Sequence, residues 1–209
     1  MYDNYVGAHL AWLDVVGCAE QAQMWAIDPA KVEIEQRVAH LMYYEWGAKS
    51  VLDVGCGCGR FALQLPHERF VGIDQSLPMI TVAEKKVAEA EKHANCTFIR
   101  ARAEHIKLDE TFDLGIAMHV TQHLVEPEGF MKQVIANYKC KRWCFTMLMV
   151  PEGGPKLFNI GKFEAACART EADVMKIVNS LPLKIEGQET QQASGVEEAR
   201  EMIFWGVLK

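Results

Sequence analysis

The chain has 209 residues, 50% of them hydrophobic and 24% charged, with a formal net charge of -6. That length and balance suit one domain, 1–209, with a full core, and they exclude global disorder. The acidic excess disfavours a protein whose affinity comes from neutralising phosphates.

At the N-terminus, Tyr5, Val6, Leu10, Leu13 and Val16 recur at helical spacing before Gly17, which predicts an amphipathic helix over 2–16. Asp28 and Pro29 then suit the N-cap and first position of a second helix, which carries Ile34, Val38, Leu41, Met42 and Trp46 on one stripe and closes at Gly47. Together these predict a helical cap over 1–47. From residue 50 the pattern alternates. Strands are expected at 50–55, 69–74, 96–101, 111–119 and 142–150, and helices at 60–65, 77–93 (capped by Ser76) and 126–139. Strands alternating with helices mean a mostly parallel sheet covered on both faces. After the turn cluster "PEGGP" come a Thr-capped helix at 170–180 and two final strands, "LKIEGQE" and "MIFWGVLK". The stretch 151–169 carries no clear period and is expected to be a lid or substrate loop.

The first strand runs into "VLDVGCGCGR", with Gly55, Gly57 and Gly59 two apart. In an open parallel sheet a loop at a strand's carboxyl end faces the ligand crevice, and glycines let the backbone approach closely. The second strand ends at Asp74, nineteen residues after Gly55, where a carboxylate suits two ribose hydroxyls. The spacing is neither the dinucleotide G-x-G-x-x-G nor a P-loop. Asp53, just before the first glycine, would repel a pyrophosphate and suit an ammonium group. The cysteines offer another reading. Cys56-x-Cys58 and Cys140-x3-Cys144 lack a second pair at zinc spacing, so no metal is expected, and small side chains simply suit the loop.

"VLDVGCGCGR", followed by "VGIDQS" and "FDLGIAMHVTQHL", resembles the class I S-adenosylmethionine-dependent methyltransferase family over roughly 45–150. The resemblance implies an α/β, Rossmann-like doubly wound sheet of seven strands, order 3-2-1-4-5-7-6. The last strand is antiparallel, and "EMIFWGVLK" suits it. It implies S-adenosylmethionine as cofactor and S-adenosylhomocysteine as product. Asp53 and the loop Gly55, Cys56, Gly57 and Gly59 would hold the methionine part, and Asp74 the ribose. Gln75 and Met79 would flank the adenine, and Met118 and His119 would border the site. Many relatives read Gly-Asp-Ala after the third strand, the Asp taking the adenine amino group. Here the segment reads Ala101-Arg102-Ala103-Glu104, and Arg102 cannot accept that bond. Glu104 substitutes, or the Ala103 backbone does, or Arg102 stacks on the ring.

Methyl transfer is an in-line displacement that mainly requires alignment. A base is needed only where the acceptor must lose a proton to react. His119 and His123 are the candidates, and they would face one way if the chain turned helical after the fourth strand. Alternatively His123 packs beside the cofactor or caps a turn. Tyr2, Tyr5 and His9 would reach the acceptor if the first helix folds over the site. Trp12, Trp25, Tyr43, Tyr44 and Trp46 are expected to pack on the sheet. The leading reading is a methyltransferase for a small-molecule O or N acceptor. RNA or protein methylation would need a basic track, for which Lys139, Lys141 and Arg142 are the candidates. A non-catalytic cofactor-binding subunit is the other alternative. The N-terminus lacks a basic region followed by a long apolar run, and no apolar stretch is long enough to span a membrane, so a cytoplasmic setting is expected.

Overall fold

The computed structural model describes residues 29–151, 156–160, 164–193 and 198–209. The helix predicted over 2–16 lies outside them. The next helix, α1 (Pro29–His40), opens at its proline and continues as a π-helical turn over Leu41–Trp46. Gly47 ends it with φ +57°, a left-handed cap that glycine adopts without a Cβ penalty.

The alternating region folds as β1 (Ser50–Val54), α2 (Arg60–Gln64), β2 (Arg69–Asp74), α3 (Leu77–Glu89), β3 (Cys96–Arg100), β4 (Thr111–Ala117), α4 (Pro127–Asn137) and β5 (Lys139–Val150). As expected, the Ser76 side chain caps α3, accepting from the Met79 N–H at 3.3 Å. β5 starts three residues earlier than its apolar run suggests, because Tyr138 turns extended and releases the chain from α4 directly into the sheet. In the tail, α5 (Glu171–Ser180) is capped by Thr170, and β8 (Leu183–Gln192) and β9 (Arg200–Leu208) form the last hairpin.

The sheet runs β3-β2-β1-β4-β5 in parallel, then β9 antiparallel to β5, and β8 on β9. This is the expected 3-2-1-4-5-7-6 order with one hairpin added. That hairpin is β6 (Lys156–Ile160) and β7 (Glu164–Thr170), and it replaces the irregular loop expected over 151–169. Met149 pairs with Arg200 of β9 on one edge and with Arg169 of β7 on the other. β7 therefore occupies the edge that β4 uses lower down and stands beyond the carboxyl end of β4.

Alternating side chains divide the core between two faces. Leu52, Val54, Val71 and Ile73 pack with Phe130, Met131 and Val134 of α4 and Val174 and Val178 of α5. Val51, Phe70, Leu114, Ile116 and Ile203 pack with Ile34 and Val38 of α1 and Phe61 of α2 on the other side. Among the described residues, no helix is long and apolar enough to cross a membrane.

Candidate active site

Four strand ends build the site, those of β1, β2, β3 and β4. At the end of β1 the backbone folds onto β2: the N–H groups of Gly55 and Cys56 both donate to the Ile73 carbonyl, at 2.7 and 3.1 Å. Gly55 has φ +72°, and a Cβ there would lie 2.3 Å from a Val120 methyl carbon. Gly59 has φ +73°, and its Cβ would meet Ala83 of α3 at 2.9 Å. A side chain at either position would be strained and would displace its neighbour, so the loop needs glycine twice over. The Gly57 N–H donates to Asp74 Oδ2 at 2.9 Å, and the Ser76 N–H to Oδ1 at 2.8 Å. Burial pushes the Asp74 carboxyl up, while the N–H groups of Ser76, Gly57 and Gln75 oppose it. Each oxygen retains a lone pair for a further donor, in the orientation the two N–H groups impose.

Asp53 sits one strand away, 2% exposed, in register with Gly72 of β2 and Ile116 of β4. Its Oδ2 has no hydrogen-bond partner among the described residues. Burial pushes its carboxyl up to about 7, with the Arg60 guanidinium pulling it back and Asp74 adding to the rise. A buried carboxylate with an open oxygen is costly unless a cation completes it. Arg60 is itself anchored by Glu35 of α1 at 2.5 Å, which ties α1 to the glycine loop.

At the end of β3, residues 103–105 form one 3-10 turn. The Ala103 carbonyl accepts from the Tyr138 hydroxyl at 2.7 Å, and the Glu104 carbonyl from Asn137 Nδ2 at 2.9 Å. Burial and the neighbouring Glu104 and Cys140 raise the Tyr138 phenol, which keeps it a donor. Glu104 Oε2 is buried with no hydrogen-bond partner among the described residues.

The end of β4 is the least regular. Met118 is buried, and His119 leaves the strand with φ +58°, in the left-handed region a side chain avoids. Its N–H donates to Thr146 Oγ1 of β5 at 2.8 Å, and its Nδ1 lies 2.9 Å from Glu201 Oε1 of β9. His119 Nε2 is buried, with no hydrogen-bond partner among the described residues. A single 3-10 turn over Thr121–His123 follows, in which His123 is half-buried. The β6–β7 hairpin is fastened over this turn: Arg169 donates to the carbonyls of Leu124 and Val125 at 3.0 and 2.8 Å.

The family model described as a methyltransferase domain matches residues 51–139, the span from the glycine loop through α4. Over these residues the chain matches a class I S-adenosylmethionine-dependent methyltransferase domain. A ubiquinone biosynthesis O-methyltransferase of Bradyrhizobium diazoefficiens is 32% identical over 95 residues, covering 44% of this chain and 37% of that protein. A second, from Hydrogenovibrio crunogenus, is 24% identical over 64% of this chain and 54% of its own. The chain thus spans between a third and a little over half of these relatives. Among solved structures, magnesium protoporphyrin IX methyltransferase from Synechocystis with bound S-adenosylmethionine superposes with a TM-score of 0.63 at 19% identity, covering 86% of this chain and 82% of that one.

In this methyltransferase domain, Asp53, Gly55, Cys56, Gly57, Gly59, Asp74 and Gln75 converge at the ends of β1 and β2. Met79 is 1% exposed on the first turn of α3, directly behind that loop. The Cys56 thiol is pushed well up by burial and packs against Gly72, as a filler between glycines. Among the described residues, no three His, Cys, Asp or Glu side chains gather as a metal-binding set. His119 and His123 do not share a helix face, because the helical turn begins only at Thr121. Tyr2, Tyr5 and His9 lie outside the described residues. Thr146 and Glu201 went unnoticed in the sequence. The available signal was a polar residue inside the apolar run "CFTMLMV", and an acid in phase with Ile203 and Trp205 on the face of β9 that packs against α1.

Proposed function

We propose that this domain transfers the methyl group of S-adenosylmethionine to an oxygen or nitrogen of a small molecule, in a reduced cytoplasmic setting. The observation that carries the reading is the Asp74 carboxylate, pre-oriented by the Gly57 and Ser76 N–H groups at the mouth of a loop that admits no side chain at positions 55 and 59. Ribose hydroxyls are the donors it suits. The open oxygen of Asp53 suits the methionine ammonium, and Glu104 or the Ala103–Glu104 backbone suits the adenine edge, with Arg102, Met79 and Gln75 around it. The sulfonium, when bound, supplies an electrophilic methyl carbon, and the protein's part is alignment and, for a protic acceptor, removal of a proton. Met118, His119 and His123 border the acceptor side in this reading.

The small-molecule assignment draws on the activities of the relatives and on the charge of the chain. The basic trio expected to mark a polymer track lies at the amino end of β5, far along the strand from the cleft. Lys141 is paired with Asp113 at 2.5 Å, and Arg142 with Glu186 at 2.6 Å and with the Trp46 ring. All six described cysteines are free, which suits a reducing compartment.

Calorimetry tests the reading. S-adenosylhomocysteine should bind the wild-type chain, and Asp74→Ala should abolish binding while leaving the thermal midpoint measurable. Equal affinity for both proteins would reject the site.

A further inference from the structure

We propose that Glu201 is a positioning residue that, with Thr146, holds His119 as a proton acceptor at Nε2, and that the methyl acceptor is a hydroxyl group, alcohol or phenol. This rests on the methyltransferase reading above.

Three contacts close a ring between the end of β4, β5 and β9. The His119 N–H donates to Thr146 Oγ1 at 2.8 Å, the Thr146 hydroxyl donates onward to the Glu201 carboxylate, and His119 Nδ1 meets the same carboxylate at 2.9 Å. Gln191 Nε2 of β8 supports the second oxygen of Glu201 at 3.2 Å. A non-glycine residue at φ +58° is strained, and the ring is what holds His119 there. Strain stored at one residue and maintained by three others marks a position whose geometry matters.

The electronic state follows from the same contacts. Burial alone pushes the Glu201 carboxyl up, but the His119 imidazole and hydrogen bonds from His119, Thr146 and Gln191 outweigh it and leave the group below its ordinary value. An ionised carboxylate at Nδ1 places a proton on Nδ1, and the neutral ring, in that tautomer, carries its lone pair on Nε2. That Nε2 is buried and has no hydrogen-bond partner among the described residues. An unsatisfied buried acceptor is costly, which a site tolerates where a donor arrives with the substrate.

Placement separates this ring from the cofactor cradle. Asp74 ends β2, on one side of β1, whereas His119, Thr146 and Glu201 lie on β4, β5 and β9, on the other. Thr146 and Glu201 share the α1 face with Cys144 and Ile203. The side chain therefore serves what sits beyond the methyl group, not the adenosine.

Chemistry then selects the acceptor. A neutral amine attacks a sulfonium with its own lone pair and loses its proton afterwards. A hydroxyl is a poor nucleophile until its proton departs. Here the acceptor O–H proton passes to His119 Nε2, the oxygen pair forms the bond to the methyl carbon, and the sulfur keeps the pair of the broken C–S bond. The imidazolium formed is stabilised by Glu201 and returns its proton to solvent after release.

The test reads the tautomer of His119 by long-range proton–nitrogen correlation on the full chain, with and without S-adenosylhomocysteine, the signal being assigned with His119→Asn. The expected result is a proton on Nδ1 and none on Nε2 near neutral pH. Glu201→Gln should lose that fixed tautomer and Glu201→Asp should restore it in part, both keeping wild-type affinity for S-adenosylhomocysteine within about twofold. A wild-type proton on Nε2 overturns the proposal without needing any variant, as does a tautomer unmoved in Glu201→Gln. Failure of the wild-type chain to bind S-adenosylhomocysteine instead rejects the preceding reading. In a second arm, catechol and ortho-phenylenediamine are offered with radiolabelled S-adenosylmethionine. Label on catechol, reduced at least about tenfold in Glu201→Gln, supports the proposal; label on the diamine alone overturns it.

Discussion

Asp53→Asn should make the protein more stable at alkaline pH and worse at holding its cofactor. The carboxyl is 2% exposed and is pushed from its ordinary 3.8 up to about 7 by burial, with Arg60 opposing and Asp74 adding to the rise. Between those two pH values the folded chain holds a proton that the unfolded chain has released, so stability falls as pH rises across the window. At about 1.4 kcal/mol per pH unit, a rise from 3.8 to about 7 amounts to about 4 kcal/mol, and about 2 kcal/mol of it falls between pH 5.5 and 8. Asparagine does not titrate. The stability of Asp53→Asn relative to wild type, measured by urea unfolding, should therefore climb by about 2 kcal/mol from pH 5.5 to 8. A relative stability flat to within about 0.5 kcal/mol would refute the buried, proton-holding carboxyl. Binding supplies the second readout. The ammonium of S-adenosylhomocysteine should ionise Asp53, so at about pH 6 the wild-type chain releases close to one proton on binding, detectable by calorimetry in two buffers of different ionisation heat. Asp53→Asn should release none and bind about 1.5–3 kcal/mol more weakly. A variant that binds at full strength would remove the ammonium from Asp53.

Gly55→Ala should cost about 2–5 kcal/mol in urea unfolding, from left-handed backbone plus overlap with Val120, whereas Gly129→Ala, in α4 with open space around its Cβ, should stabilise by about 0.5–1 kcal/mol. Equal effects would undo the loop geometry. His119→Ala should lower turnover about 100-fold or more with S-adenosylhomocysteine affinity kept, and a matching loss of both would make it a cofactor-site residue instead. Asp113 accepts from Lys141, from the Lys49 and Ser50 N–H groups and from the Ser50 hydroxyl, which together outweigh burial and hold its carboxyl well below its ordinary value. Asp113→Ala should therefore cost about 1–3 kcal/mol at pH 7. That cost should shrink as pH falls below about 4, where the unfolded carboxyl takes up its proton and the native one still has not.

Most of the parallel half was legible because its determinants are local. β2 begins and ends where "RFVGID" does, Ser76 caps α3, and Gly47 closes the first described helix, each from a signal within a few residues. Tyr43 and Tyr44, expected to pack on the sheet, are exposed at 60% and 73%. The misses within the sheet have one cause. The 151–169 stretch shows no period because β6 and β7 pair mainly with each other, and β7 reaches β5 through only Met149 and Val150. Where β7 side chains are described, Ala166 and Ala168 pack in a small cluster with Leu148 and Val150, apart from the two main cores, and alanines give a weak apolar signal. The early start of β5 was hidden for a similar reason: Lys139 and Lys141 face outward beside buried Cys140, and the edge charges mask the alternation.

The same contrast governs the site. Asp53, the glycines and Asp74 are joined by one strand pairing and one turn, so a contiguous motif spells them out. The acceptor side is assembled across register: Thr146 pairs with Ile203, and Leu148 with Glu201, which sets the carboxylate one step diagonally from the threonine and beside a histidine that ends a third strand. Nothing in the spacing of residues 119, 146 and 201 encodes that meeting. It follows from β9 running antiparallel beside β5, and a slip of one residue in that hairpin would turn Glu201 to the opposite face and leave His119 without its carboxylate. The proposed geometry on this side of the cleft therefore depends on strand register as much as on residue identity. This is why the proposed cofactor side reads as one contiguous motif while the proposed acceptor side does not.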